Sequence, residues 1–216
     1  PFFFDRDAGA RLGVLPREGT DRDVVWAEIE PCFVYHPVNA HDDGDRIVMT
    51  VCRMPHTMLG GFADLEAQPS LWRWTVDRTT GTATEEQLDD RIADFPRVDD
   101  RRTGLPARWA YAVQLGSEEG RGSDLYKYDL TDGSVEVHRT PEGMRVGEPV
   151  FAPASADAAE DEGWLLLYAH DEERGRSELR IIDARDVAGD PVARVFLPQR
   201  VPYGAHGSWA PGVTLA

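Results

Sequence analysis

The sequence predicts an all-β protein, part of a β-propeller with about four blades' worth of strands, and three observations carry that prediction. Helix signals are nearly absent: short apolar stretches alternate with turn residues, and 15 prolines and 20 glycines punctuate the 216 residues. Two families of strand-like segments recur along the chain. Their spacing is regular, near 54 residues, which is the length of a small antiparallel sheet and its turns.

The first family comprises residues 47–52 (Ile-Val-Met-Thr-Val-Cys), 109–113 (Trp-Ala-Tyr-Ala-Val) and 164–168 (Trp-Leu-Leu-Leu-Tyr). The second follows each of these, at 71–77, 125–130 and 179–184, and its leading residues Leu71, Leu125 and Leu179 lie 54 apart each time. A turn containing Gly81, Gly133 or Gly189 comes next, and then another extended segment. A β-sandwich with accidental regularity is the alternative. Residues 116–123 and the Ala-Asp-Glu-rich run 152–163 break the rhythm and read as exposed loops with little to bury.

Bulk properties narrow the partners. Lys and Arg number 23 against 39 Asp and Glu, so the formal net charge is -16. Such a surface repels phosphate backbones and argues against nucleic acid as a partner. It also argues against docking on an anionic membrane through a basic patch. The two cysteines, Cys32 and Cys52, have neither zinc-site nor redox-motif spacing, and the expected compartment is the reducing cytoplasm. No apolar run is long enough to span a bilayer. The chain opens on Pro1 rather than Met, and its first residues read as the middle of a fold, so a piece of a longer protein is expected.

Four polar residues occupy matching places in the repeat: His36, Asp94, Glu148 and His206, at spacings of 58, 54 and 58. Equivalent inner-strand positions of successive blades converge on a propeller's axis, which would bring two imidazoles and two carboxylates together. Each sits beside Pro, Gly or aromatic residues rather than in a charged run, so burial is expected, and buried charges need partners. A metal held by imidazole, with carboxylates accepting the other ring N–H, satisfies all of them. The bland reading makes each a hydrogen-bonded core or loop histidine.

The other histidines read as unspecialised. His41 precedes an acidic turn without the spacing of a calcium loop and is expected to be solvated. His56, in a Met-Pro-His-Thr-Met loop, is a candidate lining residue of an entrance, and His138 and His170 read as surface residues. No nucleophile elbow, dinucleotide fingerprint or P-loop is present, so serine-type hydrolysis has no support.

At the same four residues the sequence resembles the carotenoid cleavage oxygenases. The stretch 33–40, Phe-Val-Tyr-His-Pro-Val-Asn-Ala, is similar to their F-x-F-H-x-x-N-A motif, and Asp94-Phe95-Pro96-Arg97-Val98 to their E-F-P-R-[IV]. Gly147-Glu148-Pro149-Val150-Phe151 resembles G-E-P-x-F, and residues 197–209 resemble the ending L-P-x-R-V-P-x-G-F-H-G-x-W. The opening Arg11-Leu12-Gly13-Val14-Leu15-Pro16-Arg17 is similar to the family's mid-chain R-[IL]-G-V-[LI]-P-R. The five motifs run in family order over essentially the whole chain, as the family's C-terminal half.

The resemblance implies a seven-bladed propeller with Fe(II) on its axis, held by four histidines. His36 and His206 would be two of those ligands, Glu148 a carboxylate orienting one, and Asp94 would take the corresponding place at another. It implies cleavage of a C=C bond in a carotenoid, apocarotenoid or stilbene-like substrate with O2, giving two carbonyl products. The partners are then a small hydrophobic conjugated substrate and O2, with peripheral membrane contact left to the half not present here. Domain organisation on this reading is a single one, residues 1–216 forming the C-terminal portion of one propeller domain.

Three departures bear on it. Asp94 is one methylene shorter than the usual Glu, so its contact to a ligand histidine is expected to be lost or bridged by water. Ala205 replaces the usual Phe beside the last histidine and would widen the pocket. The first two histidine ligands fall outside this chain, so the chain alone is expected to be inactive. Two readings of another class stand beside this one. They are a metal-free propeller binding module and a propeller hydrolase using Asp94 and Glu148 as acid and base.

Overall fold

The computed structural model describes residues 4–57, 67–115, 123–202 and 204–212. Among these the regular elements are strands and short 3-10 turns. The chain divides into two compact units, residues 1–94 with 102–106, and residues 95–101 with 107–216.

In the first unit β1 (Ala10–Val14) and β2 (Val25–Ile29) form a two-stranded antiparallel sheet. A four-stranded antiparallel sheet follows, built in chain order from β3 (Phe33–Asp43), β4 (Arg46–Met54), β5 (Ser70–Asp77) and β6 (Thr82–Asp89). Each connection is between neighbours, which makes the sheet a simple meander. Its interior strands β4 and β5 carry the β-branched and aromatic residues, and Val51, Cys52, Met54, Leu71, Trp74 and Val76 are buried. Removing a side chain such as Leu71 from water stabilises the unit by about 2 to 3 kcal/mol.

The second unit repeats the plan twice. One antiparallel sheet orders β7 (Asp94–Arg97, of which Asp94 falls in the first unit), β8 (Trp109–Val113), β9 (Leu125–Asp129) and β10 (Val135–His138). The other contains β11 (Met144–Val146) and β12 (Val150–Pro153), both paired with β13 (Gly163–Asp171), then β14 (Arg176–Asp183) and β15 (Ala193–Phe196). The two sheets share a core in which Tyr111, Val113 and Leu125 pack with Phe151, Leu165, Leu167 and Ile182. The Tyr111 and Phe151 rings stack across it at 6.1 Å.

The first strand family lies within observed strands, 47–52 in β4, 109–113 as β8 and 164–168 in β13, and the second lies in β5, β9 and β14 except for Leu130 and Ala184, which fall just past the strand ends. The turn glycines serve their expected purpose by two routes. Gly81 and Gly133 have φ of 68° and 77°, a region open to glycine and strained for most other residues. Gly189 instead closes its turn by donating its N–H to the Asp186 carbonyl at 3.1 Å.

Two loop readings fare differently. Residues 116–122 lie outside the described residues. The acidic run 152–163 is exposed only in part, because cations fasten it. Lys127, almost wholly buried, reaches Asp161 at 3.0 Å, and Arg101 donates to the Ala156 carbonyl at 2.8 Å. Glu160 accepts the backbone N–H groups of Arg108 and Trp109. Composition showed few apolar groups there, whereas the order comes from charged ones.

Candidate functional site

Each unit holds one pair of a histidine and a carboxylate. In the first, His36 Nδ1 lies 2.9 Å from Asp94 Oδ1, and the two residues are 58 apart in sequence. His36 sits on β3, the edge strand of its sheet, where Pro37 is tolerated because an edge strand need not donate every N–H. The register with β4 shifts on both sides of His36, between Val34 and His36 and again between Pro37 and Asn39. Bulges re-aim side chains, and here two of them bracket the imidazole while it stays opposite Cys52.

Asp94 opens β7, with its side chain 2% exposed against 21% for His36. The shorter Asp in place of Glu does not lose the contact. It makes it directly. Burial, and then the nearby Asp94 charge, push the pKa of the fully buried Cys52 thiol well above its usual value. Asn39, in the same motif as His36, has a loop-building task. Its amide donates to the carbonyls of Arg102 and Leu105 at 3.0 and 2.9 Å and accepts from Gly104 N at 3.0 Å.

In the second unit His206 Nδ1 lies 3.1 Å from Glu148 Oε1, again 58 residues away. Glu148 stands between β11 and β12 with its side chain 7% exposed, while the His206 side chain is 56% exposed. His206 belongs to no strand. Glu148 Oε2 also accepts the N–H of Gly207 at 2.8 Å, so one carboxylate grips both the imidazole and the next peptide. The Phe95 ring stands 6.0 Å from the His206 ring. Phe95 holds a φ of 51°, the single non-glycine residue with positive φ among the described residues, and such values in bulky residues cluster at functional sites.

The chemistry of the two pairs is the same. An ionised carboxylate only accepts, so the proton of a neutral imidazole sits on Nδ1 and the lone pair on Nε2. That is the arrangement in which a histidine donates Nε2 to a metal while a carboxylate fixes its ring. Both pairs fit a metal-ligand role by this donor chemistry. Among the described residues, no group of three or more His, Cys, Asp or Glu side chains is placed to hold a metal ion by itself.

Of the other histidines, the readings of His41, His138 and His170 need correction, and that of His56 is left standing. His41 lies in β3 opposite Val48 and is half-buried, because the turn is tighter than expected and falls at Gly44-Asp45. His56 is part-buried, its Nδ1 2.9 Å from the Thr57 carbonyl. His138, expected at the surface, is 4% exposed and its Nδ1 lies 3.0 Å from the Val187 carbonyl. Charged neighbours in sequence misled there, since β10 turns them outward and His138 inward. His170, also expected at the surface, is half-buried, with Ser177 Oγ at 3.0 Å from Nδ1 and Arg200 donating to Nε2 at 3.3 Å.

Comparison with known proteins bears on the whole chain. Residues 1–211 match the family model described as retinal pigment epithelial membrane protein. A carotenoid cleavage oxygenase of Mycobacterium tuberculosis is 38% identical over 98% of this chain and 44% of its own length. The apocarotenoid-15,15'-oxygenase of Synechocystis is 31% identical over 96% of this chain and 44% of its own. An isoeugenol monooxygenase of Pseudomonas putida is 30% identical over 96% of this chain. The crystal structure of the cobalt-substituted Synechocystis apocarotenoid oxygenase matches 96% of this chain and 45% of its own, with a TM-score of 0.86 at 28% identity. The chain thus spans about half the length of the relatives it matches, and its all-β fold is that of a propeller, as the repeat predicted.

Proposed function

This chain belongs to the retinal pigment epithelial membrane protein family, that of the carotenoid cleavage oxygenases, and from that premise we propose that it is the C-terminal portion of a single propeller dioxygenase domain. The whole protein would cleave a C=C bond of a carotenoid, apocarotenoid or stilbene-like substrate with O2, yielding two carbonyl products. Fe(II), when bound, supplies the binding and activation of O2.

The observation that carries this reading is the identical construction of two pairs, each joining imidazole Nδ1 to a carboxylate 58 residues away. His36 and His206 would each give Nε2 to the metal. Asp94 and Glu148 would hold the rings and keep the Nδ1 protons in place. That the Synechocystis neighbour was solved in a cobalt-substituted form supports a metal site in this reading. Two histidines hold iron weakly, so on this reading further ligands come from the rest of the protein, and the 216 residues alone are inactive. Substrate recognition falls to apolar surfaces that exclude water from the reacting bond.

Among the described residues no helix is long and apolar enough to cross a membrane. Cys32 and Cys52 are both free thiols, which supports placement in the cytoplasm. The test is the iron content of the protein expressed from its complete reading frame, before and after His206→Ala. Near-stoichiometric iron that falls sharply in the variant supports the reading, and no iron in the wild type after Fe(II) reconstitution sinks it.

A further inference from the structure

His206 poses a problem of positioning that His36 does not. No strand ladder fixes the backbone at residues 204–210, and the His206 side chain is more than half exposed. Glu148 holds the ring at Nδ1, but the direction of the ring also depends on how its backbone is held. Something must hold the peptide that follows it.

Arg97, the last residue of β7, is in place to do so. Its Nη1 donates to the Gly207 carbonyl at 2.7 Å and lies 3.5 Å from Glu148 Oε2. Its Nη2 is held by both carboxylate oxygens of Asp100, at 3.0 and 3.3 Å. The Gly207 peptide is therefore gripped at both ends, its N–H by Glu148 and its C=O by Arg97. The same guanidinium sets a positive charge beside the carboxylate that receives His206 Nδ1. The planar fork makes this clamp one that a lysine cannot reproduce, since an ammonium is a compact point charge.

We propose that Arg97 is a positioning residue for His206: anchored by Asp100, it fixes the Gly207 peptide and the Glu148 carboxylate and so sets the direction of the imidazole. The proposal rests on the reading of His206 as a metal ligand, but the clamp itself is a statement about the metal-free protein as well. Arg97 touches neither metal nor substrate in this account. It acts through Glu148 and Gly207.

The experiment compares Arg97→Met, Arg97→Lys and Asp100→Asn in the protein expressed from its complete reading frame. Two readouts are taken: Co(II) affinity by competition with a chelator, and the tautomer of His206 in the metal-free protein by nitrogen NMR at a fixed, mildly alkaline pH. Expected are a loss of Co(II) affinity of about tenfold in Arg97→Met, the low end for groups that orient a ligand, and partial retention in Arg97→Lys. His206 should pass from a single tautomer with the proton on Nδ1 to a mixture, while the melting temperature stays near that of the wild type.

Wild-type affinity and an unchanged tautomer in Arg97→Met overturn the proposal. Should Arg97→Met fail to fold, Asp100→Asn decides: a weaker metal site with mixed tautomers supports the clamp, and wild-type behaviour overturns it. If the wild type binds no Co(II) or Fe(II) at all, the metal reading fails. The tautomer comparison then settles the role of Arg97 by itself.

Discussion

The two histidine–carboxylate pairs share donor, acceptor and sequence separation, yet they are held in opposite ways. His36 is placed by a strand: its backbone pairs with β4, register shifts fall on both sides of it, and Asp94 meets its Nδ1. His206 is placed by side chains on a coil, where Glu148, Gly207 and Arg97 together replace the missing ladder. Ordering a coil residue costs roughly 1 to 2 kcal/mol, while a hydrogen bond to a charged group returns about 1.5 to 3 kcal/mol. A handful of charge-assisted contacts therefore offsets the ordering of a few residues and little more. The difference teaches that a ladder-held histidine tolerates loss of its carboxylate better than a coil-held one.

The sharpest way to break this comparison is to remove each carboxylate. Glu148→Ala releases the imidazole, the Gly207 N–H and one partner of Arg97 together, and metal affinity of the complete protein should fall about 100-fold. Asp94→Ala leaves β3 paired, and a fall of about tenfold is expected. Chelator competition measures both, and equal losses would show that the backbone setting is irrelevant.

Acid should separate the units next. His138 in the second unit is buried, with Nδ1 on the Val187 carbonyl and Nε2 without a hydrogen-bond partner among the described residues. Burial is the largest effect and lowers its pKa below 6.5; the hydrogen bond to Val187 opposes it next, the Arg180 charge adds to the lowering, and Gly189 and Asp124 oppose it least. The neutral form is thus the folded form, while the unfolded chain takes up the proton at the ordinary value. The contribution is present above the unfolded pKa of 6.5 and is lost as pH falls from there to the lower folded value. Urea midpoints followed from about pH 8 to about pH 5 should decline, and His138→Gln should flatten that decline. A decline unchanged in the variant would place the acid-sensitive group elsewhere.

The smallest effect concerns the fit of the coil itself. A Cβ added at Gly207 would meet Val150 Cγ2 at 3.3 Å, tight enough that one neighbour must give slightly. Gly207→Ala should weaken metal binding only a few-fold, and Val150→Ala in the same molecule should restore part of the loss. No recovery in the double variant would mean that the strain is not steric.

Strand content and the blade repeat were legible in the sequence because they depend on local alternation and turn residues, which a 54-residue spacing exposes. The four polar residues were legible as candidates, since they recur in register, but which carboxylate meets which imidazole was not. Nor was Arg97. It stands in the Asp-Phe-Pro-Arg motif three residues after Asp94, but an arginine in an acidic chain has many candidate partners, and nothing local says that it reaches Gly207, 110 residues away. His138 and the fastened acidic run were missed for a related reason. Composition reports how polar a segment is, not whether a buried Lys127 or a neighbouring sheet waits to receive it.

Cys52 carries a consequence of its own. It lies opposite His36 in the ladder, fully buried, and its proton is held by burial and by the charge of Asp94. Oxidative damage to cysteine runs through the thiolate and through access to solvent. A protein proposed to work with O2 would therefore keep a sulfur one strand away from His36 in a chemically quiet form. Cys32 also has its pKa raised by burial, against the lowering effect of the Arg53 charge, so it is access to solvent and not thiolate character that makes it the thiol peroxide should mark first.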